Sequence, residues 1–283
     1  MSAVKFSVRP SEKRGNANHG WLRSWHTFSF ADYYDPKYQN YGALRVINED
    51  RVAPATGFPT HPHREAEIFS YIVSGELAHK DTMGNVESMK RGQIQMTSGG
   101  SGIAHSEFNA DRNPDGKDAH FLQIWALPYE RNLKPQYYAR EFSDEEKKDK
   151  WAHIVAPAKS TEFGVIDKRD ASGPTPIHSA VNTFATLLSP AATVDHALVS
   201  RLVPDATNVK KVYLQVVQTT AYNPNAAVKD GAVAALVKVS LGGQEATLGE
   251  GDGVFIDGAT VGENLVLENV SSKVAEVLLF EMD

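Results

Sequence analysis

Short runs of apolar residues, separated by Gly, Asn, Asp and Pro, recur along the chain at intervals of about ten residues. Many of the runs alternate apolar and polar positions and are rich in β-branched and aromatic side chains, which is typical of half-buried strands. Helical periodicity is scarce. The pattern therefore predicts an all-β protein, either a sandwich or a barrel. The clearest runs are Glu67–Val73, Gly92–Met96, His120–Leu127, Val212–Gln218, Ala234–Ser240 and Ala275–Phe280.

One segment, residues 141–152, breaks the β pattern and predicts a short exposed helix. It contains Ser143 as a predicted N-cap, two glutamates in the first turn and lysines after them. We interpret it as a solvated linker, because mixed charge runs usually contact only water. The linker separates a predicted N-terminal domain, residues 1–140, from a C-terminal domain, residues 153–283. A chain of 283 residues with 41% apolar content can form two cores of ordinary size.

The two predicted domains share a weak internal repeat. Residues 84–96 align without gaps with residues 243–255, and both segments read as a turn, a strand, a glycine turn and a second strand. Such a repeat indicates two barrels of the same kind. The alternative is that the glycines coincide in the two segments by chance. In the first copy, Met83-Gly84-Asn85 is predicted to form a hairpin turn, since Gly and Asn tolerate positive φ angles.

The composition excludes several function classes. The 29 basic and 35 acidic residues give a net charge of −6, which disfavours direct binding to nucleic acid or to anionic membranes. The absence of cysteine excludes disulfides, thiolate metal sites and cysteine nucleophiles, so a bound metal must be held by nitrogen and oxygen. The N-terminus has no apolar signal-peptide core, and no apolar stretch is long enough to span a bilayer. We therefore expect a soluble, intracellular protein.

Two triplets in the first half carry candidate metal ligands. His61-Pro62-His63 precedes the run at Glu67–Val73, and His105-Ser106-Glu107 follows a glycine-rich turn. Side chains at i and i+2 of an extended chain point to the same side, so each triplet directs two donors to one face. On neighbouring barrel strands they predict three imidazoles and one carboxylate around a divalent first-row metal with two open positions. The alternatives are backbone-bonded surface histidines and a strand-edge ion pair.

Other polar residues carry weaker signals. We interpret His79 as a partly exposed cross-strand residue, with a role in the pocket as the alternative. His19 and His26 lie in an aromatic-rich stretch that we expect to cover the core, although one of them can line a pocket mouth. The segment Ser98–Gly102 is predicted to be a turn, because the Lys and the helix of a phosphate-binding loop do not follow it. The histidines without a partner at ligand spacing are His120, His153, His178 and His196.

The second half contains no HxH or HxE triplet. The spacing of the first half places Asp205-Ala206-Thr207 where His61-Pro62-His63 stands in the first copy. We therefore predict that the C-terminal domain binds no metal and serves as a scaffold, which either closes one side of the active-site cleft or stabilises the first barrel.

The order of these motifs resembles that of the cupin superfamily. The residues within the motifs resemble those of the pirin family, and most of all those of its bacterial quercetinase-type members. The resemblance covers about residues 14–140, while the last third is similar only to a degenerate cupin. It implies a bicupin fold with one metal ion in the N-terminal domain. The ligands that it implies are His61, His63, His105 and Glu107. The matching phrases are His19–Leu22, His26–Phe30, Gly42–Val46, His61–Arg64, Gly75–Asp81, Gly99–Glu107 and Leu122–Trp125.

A second carboxylate competes with Glu107 in this comparison. An ordinary cupin uses the glutamate of its first motif as a ligand, which here is Glu67. The pirin pattern uses the HxE glutamate instead, so we assign Glu107 to the metal. Glu67 is then expected beside the ligands or facing the substrate.

The resemblance also implies a function. Quercetinase-type pirins are metal-dependent dioxygenases that open the central ring of a flavonol with O₂ and release carbon monoxide. The metal would hold the 3-hydroxyl oxygen of the substrate as an anion, and Glu107 or Glu67 would take its proton as general base. Iron is the expected metal, with Zn, Ni, Mn and Cu as alternatives.

A regulatory role is the alternative function. Some eukaryotic pirins are nuclear transcription co-regulators, so the chain could be a metal-containing binding protein without physiological catalysis. The acidic balance favours a protein partner over nucleic acid. We expect a monomer that is cytoplasmic or, in a eukaryote, nuclear, and that does not bind membranes.

Overall fold

The computed structural model describes residues 3–199, 209–220 and 234–282, which form 22 β-strands and very little helix. A single 3₁₀ turn lies at Ser11–Lys13, and the α-helix α1 spans Asp144–Lys147. The strands before α1 are β1 (Lys5–Arg9), β2 (Gly15–Asn18), β3 (Leu22–His26), β4 (Leu44–Val52), β5 (Gly57–His63), β6 (Glu67–Ser74), β7 (Glu76–Asp81), β8 (Val86–Lys90), β9 (Gln93–Ser98), β10 (Ile103–Asn109), β11 (Ala119–Ala126) and β12 (Gln136–Glu141). The strands after α1 are β13 (Ala152–Pro157), β14 (Thr175–Ile177), β15 (Val181–Leu188), β16 (Thr193–Ala197), β17 (Val209–Val216), β18 (Leu236–Leu241), β19 (Gln244–Gly249), β20 (Gly253–Thr260), β21 (Asn264–Asn269) and β22 (Ala275–Met282).

The predicted all-β bicupin fold is confirmed. The chain divides into two compact units, each built from two antiparallel sheets. We call the unit of Gly15–Phe142 and Pro157–Ser179 the first barrel. The unit of Met1–Arg14, Ser143–Ala156 and Ala180–Asp283 is the second barrel.

These units are interleaved in sequence, unlike the predicted division at residues 141–152. Strand β1 belongs to the second barrel, where it pairs with β20 from Lys5↔Asp257 to Arg9↔Gly253. Residues 157–179 return to the first barrel, where the backbone N–H of Ala139 donates to the carbonyl of Arg169. Both features depend on pairing between distant residues, which local composition does not reveal.

The first barrel consists of a sheet in the order β12-β9-β6-β11-β4-β3-β2 and a sheet in the order β5-β10-β7-β8. Every residue of strand β6 before Ser74 is buried, so both faces of the strand are covered, which fits a mainly apolar run that only Glu67 and Ser70 interrupt. Strand β10 instead alternates buried and half-buried positions, so His105 and Glu107 share the buried face.

The second barrel repeats this strand order. Its sheets run β1-β20-β17-β22-β15-β13 and β16-β21-β18-β19, and the order β9-β6-β11-β4 of the first barrel corresponds to β20-β17-β22-β15. The repeat seen at residues 84–96 and 243–255 falls on the equivalent pairs β8–β9 and β19–β20. An aliphatic core fills the second barrel, including Leu214, Val239 and Leu279, all of which are fully buried.

The predicted helix is shorter and less solvated than expected. Ser143 caps α1 with a complete capping box, in which Ser143 and Glu146 bond each other's backbone N–H. Lys147 is fully buried, and its carbonyl accepts a hydrogen bond from the hydroxyl of Thr186 at 3.2 Å. The segment is therefore packed into the second barrel rather than forming a purely solvated connector. No helix in the described part of the chain could cross a membrane.

The predicted hairpin turn joins β7 to β8. Gly84 has a φ of +92°, which a residue with a side chain rarely adopts. One carboxylate oxygen of Asp81 accepts the backbone N–H groups of Met83 and Asn85, both at 2.9 Å. The other oxygen accepts the side-chain amide of Asn85 at 2.7 Å. The turn therefore fixes the Asp81 carboxylate at the end of β7.

Candidate metal centre

Three predicted ligands, His61, His63 and His105, meet on neighbouring strands of the first barrel. Strands β5 and β10 are antiparallel with His61 opposite His105 and His63 opposite Ile103. The three imidazole rings are 4.7 Å apart, centroid to centroid, in every pair. Their ligand atoms lie within 4.8 Å of one another. Two nitrogens bonded to one ion at about 2.1 Å are at most about 4.2 Å apart, so this spacing is of the size that a shared metal requires.

A glycine allows the two strands to approach. A Cβ at Gly57 would lie 2.3 Å from the backbone oxygen of Glu107, which is closer than real contacts allow. Strand β5 can therefore pair with β10 at this point only because Gly57 has no side chain. The register of this pairing also shifts, because His105 lies opposite His61 whereas Glu107 lies opposite Phe58. The extra residue is on β5, so β5 is irregular just before His61, whereas β10 pairs regularly with β7.

Two of the three histidines, His63 and His105, are held as neutral imidazoles, the form that binds a metal. Burial and the neighbouring His61 lower the pKa of His63 to about 4. Burial, with His63 and His61 nearby, lowers the pKa of His105 to about 3. The Nδ1 of His61 lies 2.7 Å from the carbonyl of Pro59, which favours a proton on Nδ1 and leaves the Nε2 lone pair available.

His105 provides the test of whether a metal fits. It is 1% exposed, and neither of its ring nitrogens has a hydrogen-bond partner among the described residues. A buried polar group without a partner costs about 1–3 kcal/mol, which coordination would offset. Three neutral nitrogen donors suit a divalent first-row transition metal.

Glu107 lies next to this cluster but is held by other groups. It is fully buried, and its two carboxylate oxygens accept the amides of Gln95 at 2.8 Å and Gln123 at 3.1 Å. Burial, with Asp50 nearby, raises the pKa of Glu107 to about 7. Its oxygen lies within 4.8 Å of ligand atoms of His79 and His105, and the two histidines of β5 are not part of that group. The four predicted donors are thus split between two overlapping groups.

His79 is a donor that the sequence analysis assigned wrongly. It is 1% exposed rather than partly exposed, and it lies directly opposite Glu107 in the pairing of β7 with β10. Its Nε2 is 3.3 Å from a carboxylate oxygen of Asp81, and its ring stacks on Tyr137. The available signal was the triplet His79-Lys80-Asp81, which has the same i, i+2 spacing as the two triplets that were recognised.

Glu67 points away from the cluster, which corrects the expectation that it lies beside the ligands. It pairs with Ala126 on β11, whereas the adjacent Trp125 faces the histidines. Because side chains alternate along a strand, Glu67 lies on the opposite face of the sheet. There it accepts the hydroxyl of Ser98 at 2.5 Å and the backbone N–H of His178 at 3.0 Å. The four-residue spacing between His63 and Glu67 could not reveal which face of the sheet Glu67 occupies, because that depends on how β6 pairs with β11.

A cavity of about 460 Å³ opens beside His61 and His63. Its volume is within the range of about 300–1,000 Å³ that is usual for sites of drug-sized ligands. Its aromatic walls include Trp125, whose ring is perpendicular to that of His63 at 4.9 Å. His26 is buried, as expected of a core residue, but it also lines this cavity. The lining residues are Trp21, Leu22, Ser24, His26, Phe30, Asn48, Asp50, Phe58, Pro59, Thr60, His61, His63, Gln123 and Trp125.

The other histidines have partners away from the cluster. His120 bonds Glu49, His153 bonds Asn182, and His196 bonds Glu281, whereas His19 is exposed. None of these residues belongs to a group of three potential ligands among the residues that the structure describes. No such group lies in the described part of the second barrel, and the segment Asp205-Ala206-Thr207 lies outside the described residues.

The glycine-rich segment Ser98–Gly102 is a turn, as predicted. The backbone N–H of Gly99 donates to the carbonyl of Ala66, and that of Gly102 donates to the carbonyl of Gly99. The backbone N–H of Ser101 donates to the carbonyl of Leu133. These donors are used within the protein, so they do not form a phosphate cradle.

Replacement of Glu67 by Gln is expected to lower stability without loss of metal. Burial lowers the pKa of His178, but Glu67, 3.4 Å from its Nδ1, outweighs this and raises the pKa above the usual value. The resulting stabilisation is present below the unfolded pKa of about 6.5 and is lost as pH rises through the raised folded pKa. In urea unfolding, Glu67→Gln should lower the free energy of unfolding by on the order of 1–3 kcal/mol at about pH 5.5. The decrease should be smaller at about pH 8.5. A variant that loses its metal would show that Glu67 is a ligand.

The comparisons with known proteins agree with the geometry of the first barrel. The pirin family profile matches residues 7–126. The chain is 47% identical over 135 residues to a quercetin 2,3-dioxygenase of Escherichia coli strain K12, and this match spans 48% of the chain and 57% of that protein. It is 36% identical over 190 residues to a pirin-like protein of Caulobacter vibrioides, spanning 67% of the chain and 76% of that protein.

A solved structure extends the likeness to both barrels. The crystal structure of a bacterial pirin of Escherichia coli in complex with nickel(II) superposes with a TM-score of 0.75 and 29% identity. The superposition covers 98% of this chain and 99% of that one. The sequence similarity over two thirds of the chain and the common fold over nearly all of it lead to one conclusion: the chain belongs to the pirin family.

Proposed function

We propose that the protein is a metal-dependent dioxygenase that opens the central ring of flavonols with O₂. The observation that carries the proposal is the cluster of His61, His63 and His105 beside an aromatic-walled cavity of about 460 Å³. Imidazole donors beside a concave, largely aromatic cavity are what a metal-bound aromatic substrate requires. A relative of this chain is named quercetin 2,3-dioxygenase, which supports the same reaction.

The metal would be held by His61, His63 and His105, with Glu107 completing the set. Such a metal would supply a Lewis acid that stabilises the ionised 3-hydroxyl of the substrate. Iron remains the expected ion, and Ni, Zn, Mn and Cu are compatible with the donors. The nickel(II) complex of a related pirin supports a single transition-metal site.

The cavity walls would orient a flat aromatic substrate. Trp21 and Phe58 meet edge to face at 5.2 Å, and Phe30 and Trp125 do so at 5.6 Å. Aromatic rings recognise other rings through such edge and face contacts, and they exclude water. A polar wall contributes hydrogen-bonding groups that suit a polyhydroxylated ring; its members are Ser24, His26, Asn48, Asp50 and Gln123.

Glu107 would take the proton of the 3-hydroxyl. Burial and Asp50 hold its pKa near 7, so the carboxyl group can accept or release a proton near neutral pH. The amides of Gln95 and Gln123 fix the two carboxylate oxygens. They would keep the accepting oxygen in place during the transfer.

The test compares quercetin with luteolin, which lacks only the 3-hydroxyl. Metal-loaded protein is expected to consume O₂ and release carbon monoxide with quercetin, because that hydroxyl is the group that ionises at the metal. Luteolin should act only as a weak inhibitor, since it can fill the same cavity. Equal rates with both compounds would contradict activation through the 3-hydroxyl. Absence of reaction with both would contradict the dioxygenase function and favour a regulatory binding role.

A further inference from the structure

A row of five polar side chains crosses the larger sheet of the first barrel. Gln95 on β9 lies opposite Ser70 on β6, and Ser70 lies opposite Gln123 on β11. Gln123 lies opposite Asn48 on β4, which in turn lies opposite His26 on β3. We call these five residues the polar row, and all of them are buried. Burial of polar groups costs free energy unless they are used in hydrogen bonds, so the polar row needs a physical reason.

The second barrel shows that the fold does not require a polar row. The aligned repeat places Val254 at the position of Gln95. The strand partners that follow from Val254 across the second barrel are Leu214, Leu279, Phe184 and His153. The first four of these five positions are apolar and buried. The same strand order is thus built with apolar side chains, and we infer that the polar row serves binding or catalysis rather than folding.

The two halves of the polar row have different partners. Gln95 and Gln123 donate to Glu107, at 2.8 and 3.1 Å. Asn48 and His26 line the cavity, where the Nδ1 of His26 lies 2.8 Å from the Oδ1 of Asn48. The amide nitrogen of Asn48 has no hydrogen-bond partner among the described residues. It can therefore donate to a molecule in the cavity.

A carboxylate stands beside this amide. Asp50 follows Asn48 by two residues on β4, so both side chains face the cavity. Asp50 accepts the hydroxyl of Ser24, which lies opposite it on β3. The same hydroxyl oxygen is 3.3 Å from the Nδ1 of His26, so the neighbouring side chains are tied together. The polar wall therefore holds a charged acceptor and an amide donor side by side.

The polar wall is the deep part of the cavity. Ser24, Asn48 and Asp50 are at most 2% exposed, whereas Trp21 and Phe58 on the aromatic side are half-buried. A flavonol consists of two fused rings and one pendant phenyl ring. The single ring is the narrower part and fits the deep end, while the fused rings fit between the aromatic side chains nearer the opening.

We propose that the polar wall recognises two adjacent hydroxyl groups on the pendant phenyl ring of the substrate. Asp50 accepts a hydrogen bond from one hydroxyl, and the amide of Asn48 donates to the oxygen of the other. This assignment rests on the proposed dioxygenase function and deepens it, because it makes flavonols with an ortho-diphenol ring the preferred substrates. A pendant ring without hydroxyls would leave both buried groups unpaired, and a site of this kind rejects such an analogue.

The experiment compares the binding of luteolin and chrysin, which differ only in the two hydroxyls of the pendant ring. Neither flavone has the 3-hydroxyl, so binding is measured without turnover. Quenching of tryptophan fluorescence, to which Trp21 and Trp125 in the cavity contribute, gives the dissociation constants. Metal-loaded protein should bind luteolin roughly 10-fold or more tightly than chrysin. Asn48→Leu keeps the size of the side chain and removes the donor. It should weaken luteolin binding roughly 10-fold and change chrysin binding by less than about threefold.

Two further variants keep the test decisive. Thr27→Val is the matched control, because Thr27 is also buried and polar and follows His26 directly, but it does not line the cavity. It should leave both dissociation constants within about threefold of those of the unaltered protein. Asp50→Asn keeps the shape but replaces the charged acceptor by a neutral one, so it should weaken luteolin binding about 10-fold and chrysin binding much less. This variant decides the question if Asn48→Leu does not fold.

Turnover provides an independent readout of the same preference. Galangin is the flavonol that lacks the two hydroxyls of the pendant ring of quercetin but retains the 3-hydroxyl. The ratio of kcat/KM for quercetin to kcat/KM for galangin should fall about 10-fold in Asn48→Leu and stay within about threefold in Thr27→Val.

Equal binding of luteolin and chrysin to the unaltered protein, or equal losses for both in Asn48→Leu, would overturn the role of the polar wall. Failure of both flavones to bind would overturn it as well. The dioxygenase function would stand in each case if the unaltered protein still converts quercetin. Conversely, a preference for luteolin that Asn48→Leu removes, without any turnover of quercetin, would support the polar wall and contradict the function.

Discussion

Replacing His105 by Ala is expected to abolish metal binding and turnover together. Two groups of potential ligands share His105, one with His61 and His63 and the other with His79 and Glu107. The loss of His105 therefore leaves two donors in each. Two donors bind a first-row metal too weakly for the ion to stay bound during gel filtration. The metal content should therefore fall from about one equivalent per chain to below about a tenth. Quercetin turnover should fall at least roughly 1,000-fold with it, since no other group replaces the Lewis acid. Elemental analysis and carbon monoxide release measure the two effects.

The same variant should remain folded. Alanine removes packing volume, but it also removes two buried nitrogens that lack hydrogen-bond partners. These effects oppose each other, so the free energy of unfolding of metal-free protein should change by less than about 2 kcal/mol. Retention of a full metal equivalent by folded His105→Ala protein would contradict both donor groups.

Glu107→Gln is expected to have the second largest effect. The substitution preserves shape but removes the only carboxylate in either donor group. One amide hydrogen of the new side chain would also face the amide of Gln95 or Gln123, both of which donate to Glu107. Affinity for Fe²⁺ should fall roughly 100-fold, and quercetin turnover should fall as much or more, since the proton acceptor is lost as well. Glu67→Gln is the control and should retain both properties.

The metal-free protein gives a second readout for Glu107. Its folded pKa of about 7 exceeds the ordinary value of 4.5, so the folded state binds more protons than the unfolded state between these pH values. Stability contributed by the protonated carboxyl is therefore present below pH 4.5 and falls as pH rises towards 7. In Glu107→Gln, the free energy of unfolding measured in urea should decrease less between pH 4.5 and pH 7. An unchanged pH profile would show that Glu107 is not the titrating group.

Regular periodicity is what made the fold and the three histidines predictable. The alternation along β10 places His105 on the buried face, and the same period of two joins His61 to His63. The repeat at residues 84–96 and 243–255 depends on turn glycines, which local sequence encodes well. Each of these features can be predicted from the residues of a single strand or a single turn.

The remaining features depend on register and could not be predicted in the same way. Glu67 lies near His63 in sequence, but its pairing with Ala126 sends it to the other face of the sheet. His79 carries a proper ligand spacing with Asp81, yet its burial depends on β10 and Tyr137 covering it. The division of the chain at 141–152 missed the return of residues 157–179 for the same reason. A sequence shows which side chains share a face, and the order of the strands decides what that face meets.

The pairing of β1 with β20 has a consequence for how the protein is made. The roughly 250 residues between Lys5 and Asp257 take on the order of 10–50 s to synthesise at the usual rate of about 5–20 residues per second. During that time β1 lacks its partner strand, and a chain whose synthesis stops before β20 never provides that partner. In a chain that lacks β1, one edge of β20 would offer free backbone groups to strands of other molecules. Truncation at the N-terminus should therefore reduce the yield of native protein through aggregation, although it removes no residue of the metal centre.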